Sequence, residues 1–285
     1  MLPYYVTSEF LHQFIHSALA EDIGEGDHST LAAIPSNSSR RARLLVKEDG
    51  ILAGVTVAKH IFHFLNPALT IDVKLDDGAV VKKGDIAFTV EGPAQSILTS
   101  ERLVLNCMQR MSAIATKTHY LNSLILGTSA KILDTRKTTP NFRLLEKWAV
   151  LLGGGLNHRI GLFDMIMLKD NHIDMAGGIE QAIIRTKDYL RARNKSLQIE
   201  VETRNLEEVR EVIRVGGIDI IMLDNMDITT MKAAVKEING KYKTEASGGV
   251  TEETIRSIAE CGVDFISVGA LTHSIKSLDL SLKAF

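Results

Sequence analysis

Four positions recur at nearly equal steps through the second half of this 285-residue chain, and each closes a short apolar run. Glu202 to Asp224 spans 22 residues, Asp224 to Ser247 spans 23, and Ser247 to Gly269 spans 22. That is the length of one strand, one helix and two short loops. The runs themselves are KILDTRK (131–137), DMIMLKDN (164–171), LQIEVE (197–202), DIIMLDN (219–225), KTEASGG (243–249) and DFISVGA (264–270). Such alternation calls for a parallel sheet with right-handed helical crossovers. Closed towards a barrel, the sheet puts every strand end on one rim, where side chains far apart in sequence converge. The helices between are legible too: Asn205 caps with Glu208 behind it and Gly216-Gly217 stops the run, while Thr251 opens a helix that ends at Gly262.

Residues 1–110 read as a separate α+β unit, with an opening helix (SEFLHQFIHSALAEDIG), a hairpin turned at Asp49-Gly50 and further strands through VKLDDGAVVKKGDIAFTVEG. The Asp77-Gly78 and Lys83-Gly84-Asp85 turns resemble those of swinging-arm carrier domains, but no Met-Lys pair sits at a hairpin tip. A helix starting near Ser100, with Glu101 in its first turn, carries Arg102 and Arg110 towards the second unit, residues 111–272.

Between Asp134 and Lys169 the chain crowds Arg136, Lys137, Arg143, Lys147, His158, Arg159 and Lys169 around the triplet Gly153–Gly155. Guanidinium forks, ammonium groups and an imidazole in one place suit a ligand with several carboxylates or phosphates; the alternative is a solvated charged face. The net charge is only 33 − 35 = −2, so no general basic field recruits nucleic acid or anionic membrane. There is no GxxxxGK[ST] loop and no GxGxxG after a strand, so phosphate would be held by Ser247-Gly248-Gly249 and Gly269-Ala270, each taken to precede a helix start. Each could equally be a tight turn.

Glu202 and Asp224 end apolar runs, where a metal ion, sugar hydroxyls or neighbouring lysines would compensate for their burial. The pairs His12/His16 and His60/His63 have helical spacing without a third metal ligand, whereas His158, between Asn157 and Arg159, is the one histidine read as functional. Cys107 and Cys261 lie in apolar patterns with no metal spacing, so both are expected in the core of a reduced, cytoplasmic protein. No stretch reaches the roughly 20 apolar residues of a membrane span.

The segments ERLVLNCMQRMSAIAT, DTRKTTPNFR, EKWAVLLGGGLNHRIGLFDMIMLKDNHI, EVE, IMLDN, EASGG and DFISVGALTHS resemble, in order and spacing, the quinolinate phosphoribosyltransferase family over nearly the whole chain. The resemblance implies an α/β fold: an N-terminal α+β sandwich-like domain plus an incomplete, seven-stranded β/α barrel, with a tail, 273–285, returning to the first domain. It implies transfer of 5-phosphoribosyl from phosphoribosyl pyrophosphate to quinolinate with decarboxylation, giving nicotinate mononucleotide in NAD biosynthesis. Arg102, Arg136, His158, Arg159 and Lys169 become the quinolinate-facing cations, with Thr135 also at the substrate. Lys137, Glu202 and Asp224 face the donor and its Mg²⁺, Lys137, Lys169, Glu202 and Asp224 being the catalytic set. Ser247, Gly248, Gly249, Gly269 and Ala270 approach the 5-phosphate. The resemblance also implies a homodimer with shared sites, Arg102 reaching into the partner's, and leaves higher assembly open. Asn141-Phe142, Ala113 and Trp148 depart from the family's commoner residues, and none removes a charge. Rival readings are a relative acting on another acceptor, a barrel aldolase using Lys169 as a Schiff-base amine, and a phosphate-ligand sensor.

Overall fold

The computed structural model describes residues 2–285. Its helices are α1 (Ser8–Ile23), α2 (His28–Ala33), α3 (Val55–Leu65), α4 (Ala94–Leu124), α5 (Arg143–Leu152), α6 (Asp170–Ala176), α7 (Ile179–Ala192), α8 (Leu206–Val215), α9 (Ile228–Ile238), α10 (Ile255–Ala259) and α11 (Ala270–His273). Its strands are β1 (Ser39–Val46), β2 (Gly50–Ile51), β3 (Thr70–Val73), β4 (Val80–Val81), β5 (Ile86–Pro93), β6 (Lys131–Leu133), β7 (Ile166–Leu168), β8 (Ile199–Thr203), β9 (Ile220–Asp224), β10 (Lys243–Ser247), β11 (Phe265–Ser267) and β12 (Leu280–Ala284). The chain folds as two compact units, neither of them continuous. One takes the residues through His119 together with Thr138–Gly154 and Ala270–Phe285; the other takes Tyr120–Lys137 and Gly155–Gly269. Helix α5 with the loop before it thus joins the first unit.

The first unit is built on an antiparallel sheet of order β12-β1-β5-β3. Along β1, Ala42, Leu44 and Val46 turn inward while Arg41 and Arg43 stay exposed, the two-residue period of a half-buried strand. Helix α3 contributes the buried Val57, Ala58, Ile61 and Phe62, and the Phe62 ring stands edge-on to Phe88 at 5.9 Å. Strand β12 runs from Leu280 opposite Val46 to Ala284 opposite Ala42, so the chain's end is a sheet edge.

The hairpin read at Asp49-Gly50 does not form, because β1 is already paired on both sides by β12 and β5. Strand β2 pairs instead with β4, and the Asp49 carboxylate accepts from the Lys83 N–H and the Lys82 ammonium, tying one turn to another. Helix α4 likewise begins at Ala94 rather than near Ser100, which places Glu101 inside the helix. The Ser100 hydroxyl does not cap; it donates back to the carbonyls of Ser96 and Ile97. Asn141 takes the left-handed backbone, φ 62°, that lets the chain turn into α5. A Cβ at Gly153 would lie 2.4 Å from the Ala115 carbonyl oxygen, so that glycine serves the close approach of α5 to α4.

The second unit holds a parallel sheet of order β6-β11-β10-β9-β8-β7. The seventh strand expected of the barrel is reduced to one parallel bridge, Leu156 to Leu133, and among the described residues no ladder joins it to β7. The barrel is therefore open at that seam. Val201, Ile221, Leu223 and Ile266 are fully buried. Asn205 caps α8 by accepting from Glu208 N–H at 2.9 Å, Val209 and Val212 face inward, and Gly216 at φ 67° ends the helix. Helix α10 is only Ile255–Ala259, shorter than the run read from Thr251, because the Thr251 and Thr254 hydroxyls close a local turn on each other's backbone. Cys107 and Cys261 are both buried and unbridged, and burial pushes the Cys107 thiol up to about 12. No helix of the described residues is long and apolar enough to cross a membrane.

Candidate active site

Strand alternation sets the depth of each polar group in the second unit. Residues two apart on a strand share a face, so Glu200 shares one with Glu202, Met222 with Asp224, and Glu245 with Ser247. The register puts Met222 beside both Glu202 and Glu245, and Asp224 beside Ser247, so these strands present that face together. Lys169 is exposed, Asp224 and Ser247 are half-buried, Glu202 is buried, and Glu200 and Glu245 have no exposure at all.

At the outer level, Lys169 caps α6 just after β7, its Nζ 3.2 Å from the Glu202 carboxylate. Asp224 accepts from its neighbour's Asn225 side-chain amide at 2.8 Å, and Asn225 holds a left-handed φ of 52°. Gly248 must be glycine: its φ is 85°, and a Cβ would lie 2.2 Å from Asn225 Oδ1. Gly248 and Gly249 are exposed with positive φ, yet α10 begins only at Ile255, so these main-chain N–H groups belong to a loop and not to a helix start.

The cation cluster read from sequence is divided by the fold. Arg143 and Lys147 sit on α5 in the first unit, as do Arg102, exposed on α4, and Ala270 at the start of α11. Thr135, Arg136, Lys137, His158, Arg159, Lys169, Glu202, Asp224, Ser247, Gly248, Gly249 and Gly269 all belong to the second unit. Asp134, fully buried at the end of β6, organises the loop that carries two of the cations. It accepts from the Asn157 side chain at 2.6 Å and from the His158 N–H at 2.9 Å. Asp164 closes the other end of that loop by accepting from the Ile160 and Gly161 N–H groups. Arg159 is thereby held half-buried, its guanidinium near the Met165 carbonyl at 3.3 Å, and burial followed by the charge of Arg136 lowers its affinity for its proton. Two guanidinium groups kept near each other in a partly dry place constitute a site for an anion.

The strand pattern also buries two residues that sequence reading passed over. His158, 9% exposed, places Nε2 2.9 Å from Glu200 and 3.5 Å from Glu245. These three are the group among the described residues with three potential metal ligands in mutual reach. Burial is the main cause that raises Glu200 to about 7 and Glu245 to about 8. The signal was present in the sequence, since each glutamate stands two residues before a site residue on the same strand face, but a lone glutamate in an apolar run did not point to a partner. The paired histidines of α1 and α3 do not meet as metal ligands. His12 and His16 set their rings edge-on to Phe64, and His12, His60 and His63 line a 330 Å³ cavity with Ser8, Leu11, Ile15, Lys59 and Phe64.

Comparison with known proteins gives the same pattern a family. The models of the N-terminal and C-terminal domains of quinolinate phosphoribosyl transferase match residues 27–112 and 114–283. A chloroplastic nicotinate-nucleotide pyrophosphorylase (carboxylating) of Arabidopsis thaliana is 49% identical, over 96% of this chain and 82% of its own length. A probable enzyme of the same name from Bacillus subtilis is 42% identical, over 95% of this chain and 92% of its own. Among solved structures, NadC from Streptococcus pyogenes superposes with a TM-score of 0.92 at 38% identity, covering 98% of this chain and 97% of that one. The nicotinate-nucleotide pyrophosphorylase of Francisella tularensis gives 0.91 at 40%, covering 98% of each chain. A two-domain match over this much of the chain, with half-buried arginines beside strand-end carboxylates, makes the protein a member of the quinolinate phosphoribosyltransferase family.

Proposed function

We propose that the strand-end groups of the second unit carry out the family's reaction, transfer of 5-phosphoribosyl from phosphoribosyl pyrophosphate to quinolinate with loss of CO₂. The observation that carries this assignment is the pairing of Arg159 with Arg136, two guanidinium groups held near each other where a dianionic pyridine dicarboxylate would relieve their repulsion. Lys169 completes the acceptor side, with Thr135 at its edge and the buried His158 behind Arg159. Lys137 and the residues after the strands, Ser247, Gly248, Gly249 and Gly269, take the donor's phosphates.

In the first step the ring nitrogen forms a bond to ribose C1 while the C1–O bond to pyrophosphate breaks, the leaving oxygen keeping the electron pair. The ribose carries positive charge at that moment, and Glu202 and Asp224 are the carboxylates placed to stabilise it. In the second step the carboxylate carbon next to the quaternised nitrogen departs as CO₂. Its bonding pair passes to the ring carbon and is stabilised by the ring cation, and a proton completes that carbon. Arg136 and Arg159 need only keep the remaining carboxylate fixed.

Glu202 and Asp224 offer oxygen donors from adjacent strands, too few for a closed cage, with Glu202 already leaning on Lys169. Such a sparse hard-oxygen set fits Mg²⁺, which keeps waters and takes phosphate oxygens as ligands. When bound it neutralises the departing pyrophosphate. The active assembly in this reading is a homodimer, with Arg102 of the partner subunit completing the acceptor site. The compartment we assign is the cytoplasm, supported by two free buried cysteines; some plant relatives are labelled chloroplastic or mitochondrial, so fractionation of the native cell checks it.

Incubating the protein with quinolinate, phosphoribosyl pyrophosphate and Mg²⁺ should release CO₂ and nicotinate mononucleotide, and nicotinate in place of quinolinate should give no product. Mixing an Arg102→Ala chain with an Arg136→Ala chain should restore activity that neither has alone. Absence of product from the correctly folded wild type ends the functional reading.

A further inference from the structure

The buried group His158, Glu200 and Glu245 lies one step deeper than the residues assigned to substrates, and nothing in the reaction above uses its two glutamates. The Arg159 N–H donates to His158 Nδ1 at 2.7 Å, so Nδ1 carries no proton. The imidazole proton is therefore on Nε2 and is donated to Glu200 at 2.9 Å. The Glu245 carboxyl lies within 4.8 Å of His158 Nε2 and of the Glu200 carboxyl, with the Ser267 hydroxyl beside it, and among the described residues no cation pairs with it. Two buried carboxylates in such contact cannot both be ionised; a single proton between them satisfies both. His158 Nε2 stands 2.9 Å from Glu200 and 3.5 Å from Glu245, so the imidazole lies between the two carboxyl groups.

We propose that Glu245 is a positioning residue for the acceptor site, a buried acid packed against Glu200 and His158 that helps lock the His158 imidazole in one tautomer and, through it, the main chain that presents Arg159 to the substrate's carboxylates. The inference rests on the functional reading for what Arg159 holds, but the hydrogen-bonded acid itself does not. The charged neighbours are few: His158 faces Glu245 from the loop after Leu156, Glu200 from β8, and Arg159, Lys169 and Glu202 act on Glu200. Glu245 is held neutral to about 8, mainly by burial and next by Glu200. Deprotonation above that point places a second negative charge beneath Arg159 and loosens the lock.

The experiment uses the full-length wild type with Glu245→Gln and Glu245→Leu. Difference infrared spectra of wild type against Glu245→Gln at neutral pH should show the carbonyl stretch of one buried carboxylic acid, present in the wild type and missing from the variant. Glu245→Leu should raise KM for quinolinate about tenfold with a smaller change in KM for phosphoribosyl pyrophosphate, and Glu245→Gln, shaped like the neutral acid, should recover most of that loss. The wild-type KM for quinolinate should climb as pH passes about 8, and Glu245→Gln should lack that climb. A missing carbonyl band, a metal ion bound stoichiometrically to these three residues in the purified protein, or identical pH profiles for wild type and Glu245→Gln would overturn the proposal. If the wild type fails to turn over quinolinate, the functional reading falls, and the infrared band still decides whether the buried acid exists.

Discussion

Glu202 and Glu200 stand two residues apart on β8 and share a strand face, yet they live in opposite electrostatic regimes. Glu202 is near the rim, paired with a Lys169 that is 47% exposed, so water shares in its solvation. Glu200 is wholly enclosed and accepts from the ring of His158. Two residues along the strand separate a carboxylate near the rim from one whose ionisation depends on its protein neighbours. The lesson is that the barrel's rim and its buried floor carry the same residue type, and that burial sets how each behaves.

The contrast is sharpest in stability. Glu200→Ala would leave the His158 Nε2–H and the Glu245 acid without an acceptor, and should cost about 3 to 5 kcal/mol in denaturant unfolding. Glu202→Ala, removing a partly solvated pair, should cost less than about 1 kcal/mol. Equal losses for the two would erase the distinction between floor and rim. In catalysis the order reverses to the outer level: Arg136→Ala should lower kcat/KM for quinolinate by the equivalent of about 1.5 to 3 kcal/mol while melting almost as the wild type does. A variant with near wild-type turnover would remove Arg136 from the acceptor site. The smallest effect belongs to a residue outside both levels. Asn205→Ala deletes the cap of α8 and should cost about 1 kcal/mol of stability with unchanged kinetics.

The floor also predicts a sign for pH. The Glu245 carboxyl is neutral in the fold up to about 8 but ionises near its ordinary 4.5 in the unfolded chain. Between those values the unfolded state binds fewer protons, so stability falls as pH rises through that window. Glu245→Gln should flatten the slope.

Much of the architecture was legible because helix and strand periods are local. The repeat from Glu202 to Gly269 marked the strand ends, Asn205 and Gly216 marked a helix, and Asn141 marked a left-handed turn that the structure contains. The hairpin misreading has its cause in a partner far away in sequence. Asp49-Gly50 looked like a hairpin until β12, arriving from the other end of the chain, occupied the edge of β1. The helix read as starting near Ser100 begins at Ala94, and the run at Leu156 keeps a single parallel bridge to Leu133.

The sequence by itself determined the order of strands and helices, the residue types at each strand end and the family, since these depend on alternation, spacing and turn chemistry within short windows. Only the tertiary structure assigned Arg143 and Lys147 to one compact unit and Arg136 and Arg159 to the other, and decided that His158 reaches Glu200 and Glu245. Such meetings depend on sheet order and stagger, and a carboxyl group's charge depends on how much water the assembled fold leaves around it.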